Sequence, residues 1–279
     1  MYGRNIDTEA VKKELIYLYC VTEKAPKLKE IENLVNELYF VYHLGLYAVV
    51  SKVKESEFSE ENLKKNLADL EWIKAEASIH EKVIEGVMKY TCVIPFKFGT
   101  IFKTEDNLKA MLEEHVQDLK EKLKDLEGKE EWGVKIYCDI ERLKGTVIQE
   151  ESGILKIEKE INSSSSGKAY FLKKKKEELM KEAVNKRINE YGQESFELFK
   201  MLSCEARINK LLPKEVTERE DDMVLNSAFL VDKDKVSEFI HAVDDLKTRY
   251  NDKGLNFDCT GPWPPYNFCD LPKEEAQYG

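Results

Sequence analysis

A chain of 279 residues is longer than one small core needs and, at roughly 100–200 residues per domain, points to two domains. With 42% hydrophobic and 35% charged side chains it can collapse around a core under a densely charged, helix-rich surface, which excludes a wholly disordered chain. Fifty-four acidic against forty-four basic side chains leave a net charge of −10, a balance that repels polyanions and argues against nucleic acid or an anionic membrane as partner.

In chain order, Leu15 to Val21 (LIYLYCV) is a short β-branched, aromatic and aliphatic run and predicts a buried strand. Leu28, Ile31, Leu34, Val35 and Leu38 fall at helical spacing, and YFVYH and LYAVVSKV then predict two strands joined around Leu44-Gly45. From Glu60 to Tyr90, Leu63, Leu67, Leu70, Ile73, Ala77, His80, Ile84 and Val87 line one face of a long amphipathic segment, either one helix or a helix with a break. Cys92 to Phe102 (CVIPFKFGTIF) reads as a strand which, carrying Pro95 and Gly99, belongs at an edge or contains a bulge. A further helix is expected from Thr104, its N-cap, to Leu126, with Gly128 as the residue after its end and the polar run EGKEE as a domain boundary.

Beyond the boundary, Trp132 to Cys138 alternates as a strand, and a polar connection containing a flexible serine run (Ser163–Ser166) leads to a lysine-rich helix from about Ala169 to Leu202. CEARINKLL and Met223 to Val231 are the next strands. Val236, Phe239, Ile240, Val243 and Leu246 form a helical stripe, and LNFDCTG closes the series. Each half therefore has the order β-α-β-β-α-β of the ferredoxin-like split βαβ motif. The expected fold class is α+β with two such sheet-and-helix domains, 1–127 with an extra helix and 128–260, followed by a proline/aromatic tail at 261–279.

The six cysteines are scattered, with no C-x-x-C pair and no Cys/His cluster of zinc spacing, so reduced thiols and no metal are expected. No apolar leader precedes the first strand and no run of 18 apolar residues occurs, which predicts a soluble, cytoplasmic protein. Nucleotide and hydrolase signatures are missing: there is no G-x-S-x-G, no H-E-x-x-H and no G-x-G-x-x-G, and Gly167-Lys168 lacks the rest of a phosphate loop. No cofactor is therefore expected. His80 and His115 sit on apolar helix faces, where a histidine is more often a hydrogen-bonded packing residue than a proton carrier. Lys173 to Lys176 are followed at once by acidic residues, as on a solvated helix surface.

Gly261-Pro262-Trp263-Pro264-Pro265-Tyr266-Asn267-Phe268 combines three prolines with three aromatic rings. Such a segment is stiff and carries large apolar area, so it either covers a sheet edge of its own domain or offers a preorganised surface to a partner. Trp263, Pro264, Pro265, Tyr266 and Phe268 are the contact candidates.

AEASIHEKVIEGVM, VIPFKFGTIF, EWGVKIYCD, MVLNSAFLVD and TGPWPPYNF, in this order and spacing, resemble the gas vesicle protein F/L family over Leu15 to Phe268. His80, Pro95, Phe98, Gly99, Thr100, Trp132, Gly133, Asn226, Phe229, Gly261 and Pro262 are the motif positions expected to shape the fold. Lys97 departs from the arginine common in the family, which would weaken any bidentate carboxylate contact there. The resemblance implies a two-domain α/β protein, its C-terminal domain a modified ferredoxin-like fold, with a non-enzymatic role in gas vesicles, the gas-filled shells that give cells buoyancy. It implies binding to the small hydrophobic shell protein and to other assembly factors during nucleation or growth. Two other classes stay open: an enzyme recruiting His80 or His115 with a carboxylate, and a small-ligand regulatory protein built on ferredoxin-like domains.

Overall fold

Strand β1 (Glu14–Thr22) is buried along its length after Glu14, as an unbroken apolar run is when both faces of its sheet are covered. The computed structural model describes residues 13–269. Within them the chain divides into two compact units, 13–128 together with 264–269, and 129–263. Residues 1–12 and 270–279 of the expected domains lie outside the described residues.

In the first unit β2 (Leu38–His43) and β3 (Leu46–Lys54) form a hairpin around Leu44 and Gly45, at φ 50° and 87°, a two-residue turn whose twist suits the flanking strands. β3 pairs with β1, and β1 with the two-residue strands β4 (Ile94–Pro95) and β5 (Ile101–Phe102), in the antiparallel order β2-β3-β1-β4 with β5 also on β1. The strand expected over Cys92–Phe102 is thus two short pieces. Pro95 has no amide for the ladder, and a turn in which the Thr100 amide donates to the Lys97 carbonyl (3.1 Å) separates them.

One sheet face carries Tyr17, Tyr19 and Val49 and packs against the helices α1 (Glu55–Phe58), α2 (Glu60–Asn66) and α3 (Leu70–Met88) through Phe58, Leu63, Val83, Ile84 and Val87. The long helix expected there is broken before Leu70, where the Asp69 carboxylate caps α3 by accepting from the amides of Glu71 and Trp72. Helices α4 (Glu105–Glu114) and α5 (Val116–Leu126) replace the single helix expected from Thr104, because His115 (φ −108°, ψ 14°) leaves helical geometry. Thr104 caps α4 by accepting from the Asn107 amide at 3.2 Å. Thr104→Ala should therefore lower stability by about 1 kcal/mol, measured by urea denaturation, whereas Thr104→Ser should leave it nearly unchanged.

The helix predicted through Leu28, Ile31, Leu34, Val35 and Leu38 is absent: one 3-10 turn, Leu28–Glu30, is followed by turns up to β2. Leu38 is drawn into the β2 ladder opposite Ser51 and Ile31 is buried, so the stretch left between them is too short for a stable helix. The first unit keeps the first three expected strands, splits the fourth into β4 and β5, and lacks the first of its three expected helices.

The second unit contains β6 (Lys129–Cys138), α6 (Ile140–Glu150), α7 (Ser152–Asn162), α8 (Ser166–Met201), β7 (Glu205–Ile208), α9 (Lys214–Thr217), β8 (Asp222–Asp232), α10 (Val236–Tyr250) and β9 (Leu255–Trp263). Its antiparallel order is β7-β8-β6-β9. A core of Val134, Ile136, Phe199, Phe229, Phe239 and Val243 lies between the sheet and the helices. The polar connection expected before α8 is instead two helices, whose Leu143, Val147 and Ile154 are buried. The serine run is not a flexible linker. Ser163 donates its hydroxyl to the Lys159 and Glu160 carbonyls (3.3 and 3.2 Å) at the end of α7, and Ser165 is the N-cap position of α8.

The whole is a mixed α/β protein with two antiparallel sheets. Counted from its own first strand, each sheet has the order 2-3-1-4.

Candidate functional site

Residues of three separate motifs meet in the first unit. His80 projects from α3 onto β1 and is 3% exposed. The Phe96 carbonyl beside Nε2 can only accept, so Nδ1 of the neutral ring accepts from the Tyr17 hydroxyl (3.0 Å), which itself accepts from the Gly99 amide (3.0 Å). That leaves Nε2 protonated, facing the Phe96 carbonyl and the Tyr266 hydroxyl, both at 3.1 Å. Tyr266 donates to Glu81 at 3.4 Å. Phe98 closes the cluster, its ring 5.8 Å from His80 and 6.2 Å from both Tyr17 and Trp72.

Burial holds the His80 imidazole neutral, its pKa lowered to about 4 against the hydrogen bond to Phe96. Burial likewise raises the phenols of Tyr17 and Tyr266 and, to about 12, that of Tyr19, which shares a hydrogen bond with Ser51 (3.0 Å). A neutral imidazole between two protonated phenols fixes loop, strand and C-terminal segment to one another. His115 lies at the junction of α4 and α5, away from this cluster in sequence and element. Pro95 stands opposite Cys20 in the ladder, and Thr100 fixes the turn through its hydroxyl to the Lys97 carbonyl (2.7 Å). Lys97 itself is exposed, and its carbonyl, rather than its cation, is what the turn uses.

In the second unit Trp132 and Gly133 of β6 face the end of β9. Gly133 stands opposite Thr260, which accepts from the Trp263 indole at 3.0 Å. Gly261 lies so close to the strand that a Cβ there would sit 2.9 Å from the Glu131 carbonyl oxygen and 3.0 Å from the Trp132 ring, and it precedes a cis bond to Pro262. Asn226 holds the chain after β7, donating to the Lys210 carbonyl (2.8 Å) while its own carbonyl accepts from the Asn209 amide (2.7 Å). Phe229 is fully buried against Phe196, Phe199 and Phe239.

The proline/aromatic segment is therefore divided. Gly261 to Trp263 end β9 in the second unit, and Pro264 onward belongs to the first. Pro264, Pro265 and Phe268 are buried, Tyr266 is half-buried, and Trp263 is 40% exposed.

The surface holds features that sequence reasoning missed. Phe40 and Tyr42 point to one side of β2, an edge strand, and are 41% and 58% exposed, with Leu44 46% exposed at the turn. Their rings contact Tyr47 across the hairpin at 5.3 and 4.9 Å. The alternating aromatics of YFVYH carried this signal, but the helix expected before them would have covered that face. A second missed feature is a groove between α6, α7 and α8. Among the described residues no three His, Cys, Asp or Glu side chains are placed to hold a metal ion, no disulfide joins any of the six cysteines, and no helix is long and apolar enough to cross a membrane.

A family model described as gas vesicle synthesis protein GvpL/GvpF matches residues 15–270. Gas vesicle protein L of Streptomyces sp. (strain CB03234) is 26% identical over 245 residues, covering 84% of each chain. Gas vesicle protein F1 of Halobacterium salinarum is 26% identical over 263 residues, 92% of this chain and 94% of its own. The crystal structure of gas vesicle protein GvpF from Anabaena sp. PCC7120 superimposes with a TM-score of 0.68 at 20% identity, over 93% of this chain and 100% of that one. That of GvpF from Microcystis aeruginosa gives 0.62 at 19%, over 92% and 99%. At such identities the two structures share the fold.

Proposed function

We propose a non-catalytic assembly role from one premise: this chain belongs to the gas vesicle synthesis protein GvpL/GvpF family. In this reading it acts in the cytoplasm and on the growing gas vesicle, binds the small hydrophobic shell protein before that protein enters the wall, and works beside other gas vesicle accessory proteins. We further read both sheets as derived from the ferredoxin-like arrangement, which the shared 2-3-1-4 strand order supports.

The observation that carries the shell-binding role is the bare aromatic side of the β2–β3 hairpin. An apolar subunit awaiting assembly exposes surface and strand edges that aggregate. β2 offers a complementary edge for strand addition, with Phe40 and Tyr42 at alternate positions to grip side chains, while the −10 charge keeps a complex in solution. Trp263 is the exposed ring of the C-terminal segment and the second contact in this reading.

Co-purification of the shell protein tests both. Phe40→Ser with Tyr42→Ser should lower capture at least tenfold, with the circular dichroism and melting temperature of the folded chain retained, and Trp263→Ala should lower it less. Full capture by the folded double variant would remove the hairpin from the contact, and full capture by all variants together would refute a role for these rings.

In the first unit, the cavity lined by Tyr17, Tyr19, Glu76 and His80 is a poor small-ligand site. Its volume is about 250 Å³, below the roughly 300–1,000 Å³ of ligand sites. Capture of another chain on an exposed face is the better fit to the geometry.

A further inference from the structure

We propose that the groove between α6, α7 and α8 is a docking site for an acidic amphipathic helix of a partner protein. Helix α8 has 36 residues, about 54 Å at 1.5 Å per residue, and its buried side chains begin only at Met180. α7 has one buried residue, Ile154. α6 packs beside this hairpin through Leu143 and Val147, and the seam that the three helices share stays open where Ile140, Ile161, Met180 and Val184 line it.

The seam opens into a groove of about 880 Å³ with Ile140, Ile161, Met180 and Val184 along its floor. On α8 it runs from Lys173 to Asn185, about 18 Å at the same rise, which accommodates three to four turns of helix. Helical walls on both sides favour a helix over a strand as occupant, since ridges of side chains seat into the grooves between neighbouring turns.

Charge selects the occupant. Lys144, Lys173, Lys176 and Lys181 line the groove against Glu158 and Glu177, in a chain whose net charge is −10. Glu158 is neutralised by Lys176 at 2.9 Å, and Lys144 is bound to Glu141 at 2.7 Å. Lys173 and Lys181 are exposed, eight residues apart along α8, and Glu177 is the one carboxylate lining the groove between them. A helix with an apolar stripe flanked by carboxylates satisfies floor and rim together. Anionic lipid is disfavoured because the apolar floor is recessed between helices, although Tyr170 and Phe171 lie exposed near the start of α8.

The test uses the full chain and two labelled synthetic peptides of sixteen residues, each with leucines at i, i+3, i+4 and i+7 spacing, flanked by glutamate in one and by lysine in the other. Fluorescence anisotropy should show the glutamate peptide binding at least tenfold more tightly than the lysine peptide, and losing affinity between 50 and 300 mM NaCl. Lys173→Glu with Lys181→Glu, both exposed substitutions, should reverse that preference while the melting temperature stays within a few degrees. Ile161→Ser should weaken the glutamate peptide without reversing the preference. Equal binding of the two peptides, or a preference unmoved by charge reversal, would overturn the proposal. So would capture by phosphatidylserine vesicles in the absence of peptide binding, or concentration-dependent self-association abolished by the same reversal.

Discussion

Replacing Phe268 with alanine should destabilise the first unit by about 3–5 kcal/mol, the usual cost of removing a buried phenyl ring from a core. Its ring is 2% exposed, and the segment is held by the Phe268 amide to the Pro265 carbonyl (3.1 Å) and the Tyr266 amide to the Pro264 carbonyl (2.7 Å). Against a domain stability of about 5–15 kcal/mol the loss is a large fraction of the total. Trp263→Ala, five residues earlier and 40% exposed, should cost clearly less than Phe268→Ala, since two-fifths of its area already faces water. Hydrogen exchange separates the two units. In Phe268→Ala the amides of β1 should lose protection while those of β6 and β8 keep theirs, because the chain has left the second unit by Pro264. Loss confined to β6 and β8 would reverse that assignment, and an equal cost for both substitutions would refute the division of the segment at Trp263.

That division was out of reach of composition. Gly261 to Phe268 reads as one stiff aromatic run, and prolines on both sides of Trp263 give no local sign that the ladder opposite Glu131 ends there. Strands β1, β3, β6 and β8 were legible because unbroken or alternating apolar runs have few other uses. The helix expected from Leu28 to Leu38 failed because five apolar residues at helical spacing are satisfied equally by turns that place Ile31 in the core, and Leu38 was worth more to the sheet. Helices α6 and α7 carried a readable signal in Ile140, Leu143, Val147 and Ile154, masked by the charged residues around them. The hydrogen bonds of the cluster reach from His80 to a residue 186 positions away, Tyr266. A histidine on an apolar stripe was visible, but the phenols that hold it arrive from β1 and from beyond the second unit.

The strongest pH dependence should come from this histidine. An imidazole in an unfolded chain takes up a proton near pH 6.5, whereas in the folded protein burial delays uptake to about pH 4. Between those values the unfolded chain binds more protons, so the contribution of His80 to stability is complete above pH 6.5, falls as the pH drops toward 4, and levels off below that. The two and a half pH units correspond to about 3 kcal/mol. Glu76 and Glu81, on the same helix, act with the opposite sign. Burial first, and then the neighbouring carboxylates Glu57 and Glu85 respectively, raises their pKa, so their protonation favours the folded state as the pH falls. The phenols of Tyr17, Tyr19 and Tyr266 stay protonated throughout. Comparison with His80→Gln cancels the carboxylates. At pH 7.5 the wild type should be the more stable, and its advantage should shrink by about 3 kcal/mol by pH 4, because the carboxamide has no proton to gain there. Urea denaturation of both proteins across this range measures the difference, and the His80 ring carbon shift in NMR should titrate near pH 4. Parallel stability curves, or a ring titrating near pH 6.5, would mean that water reaches the imidazole and that the Tyr17–His80–Tyr266 chain does not close in solution.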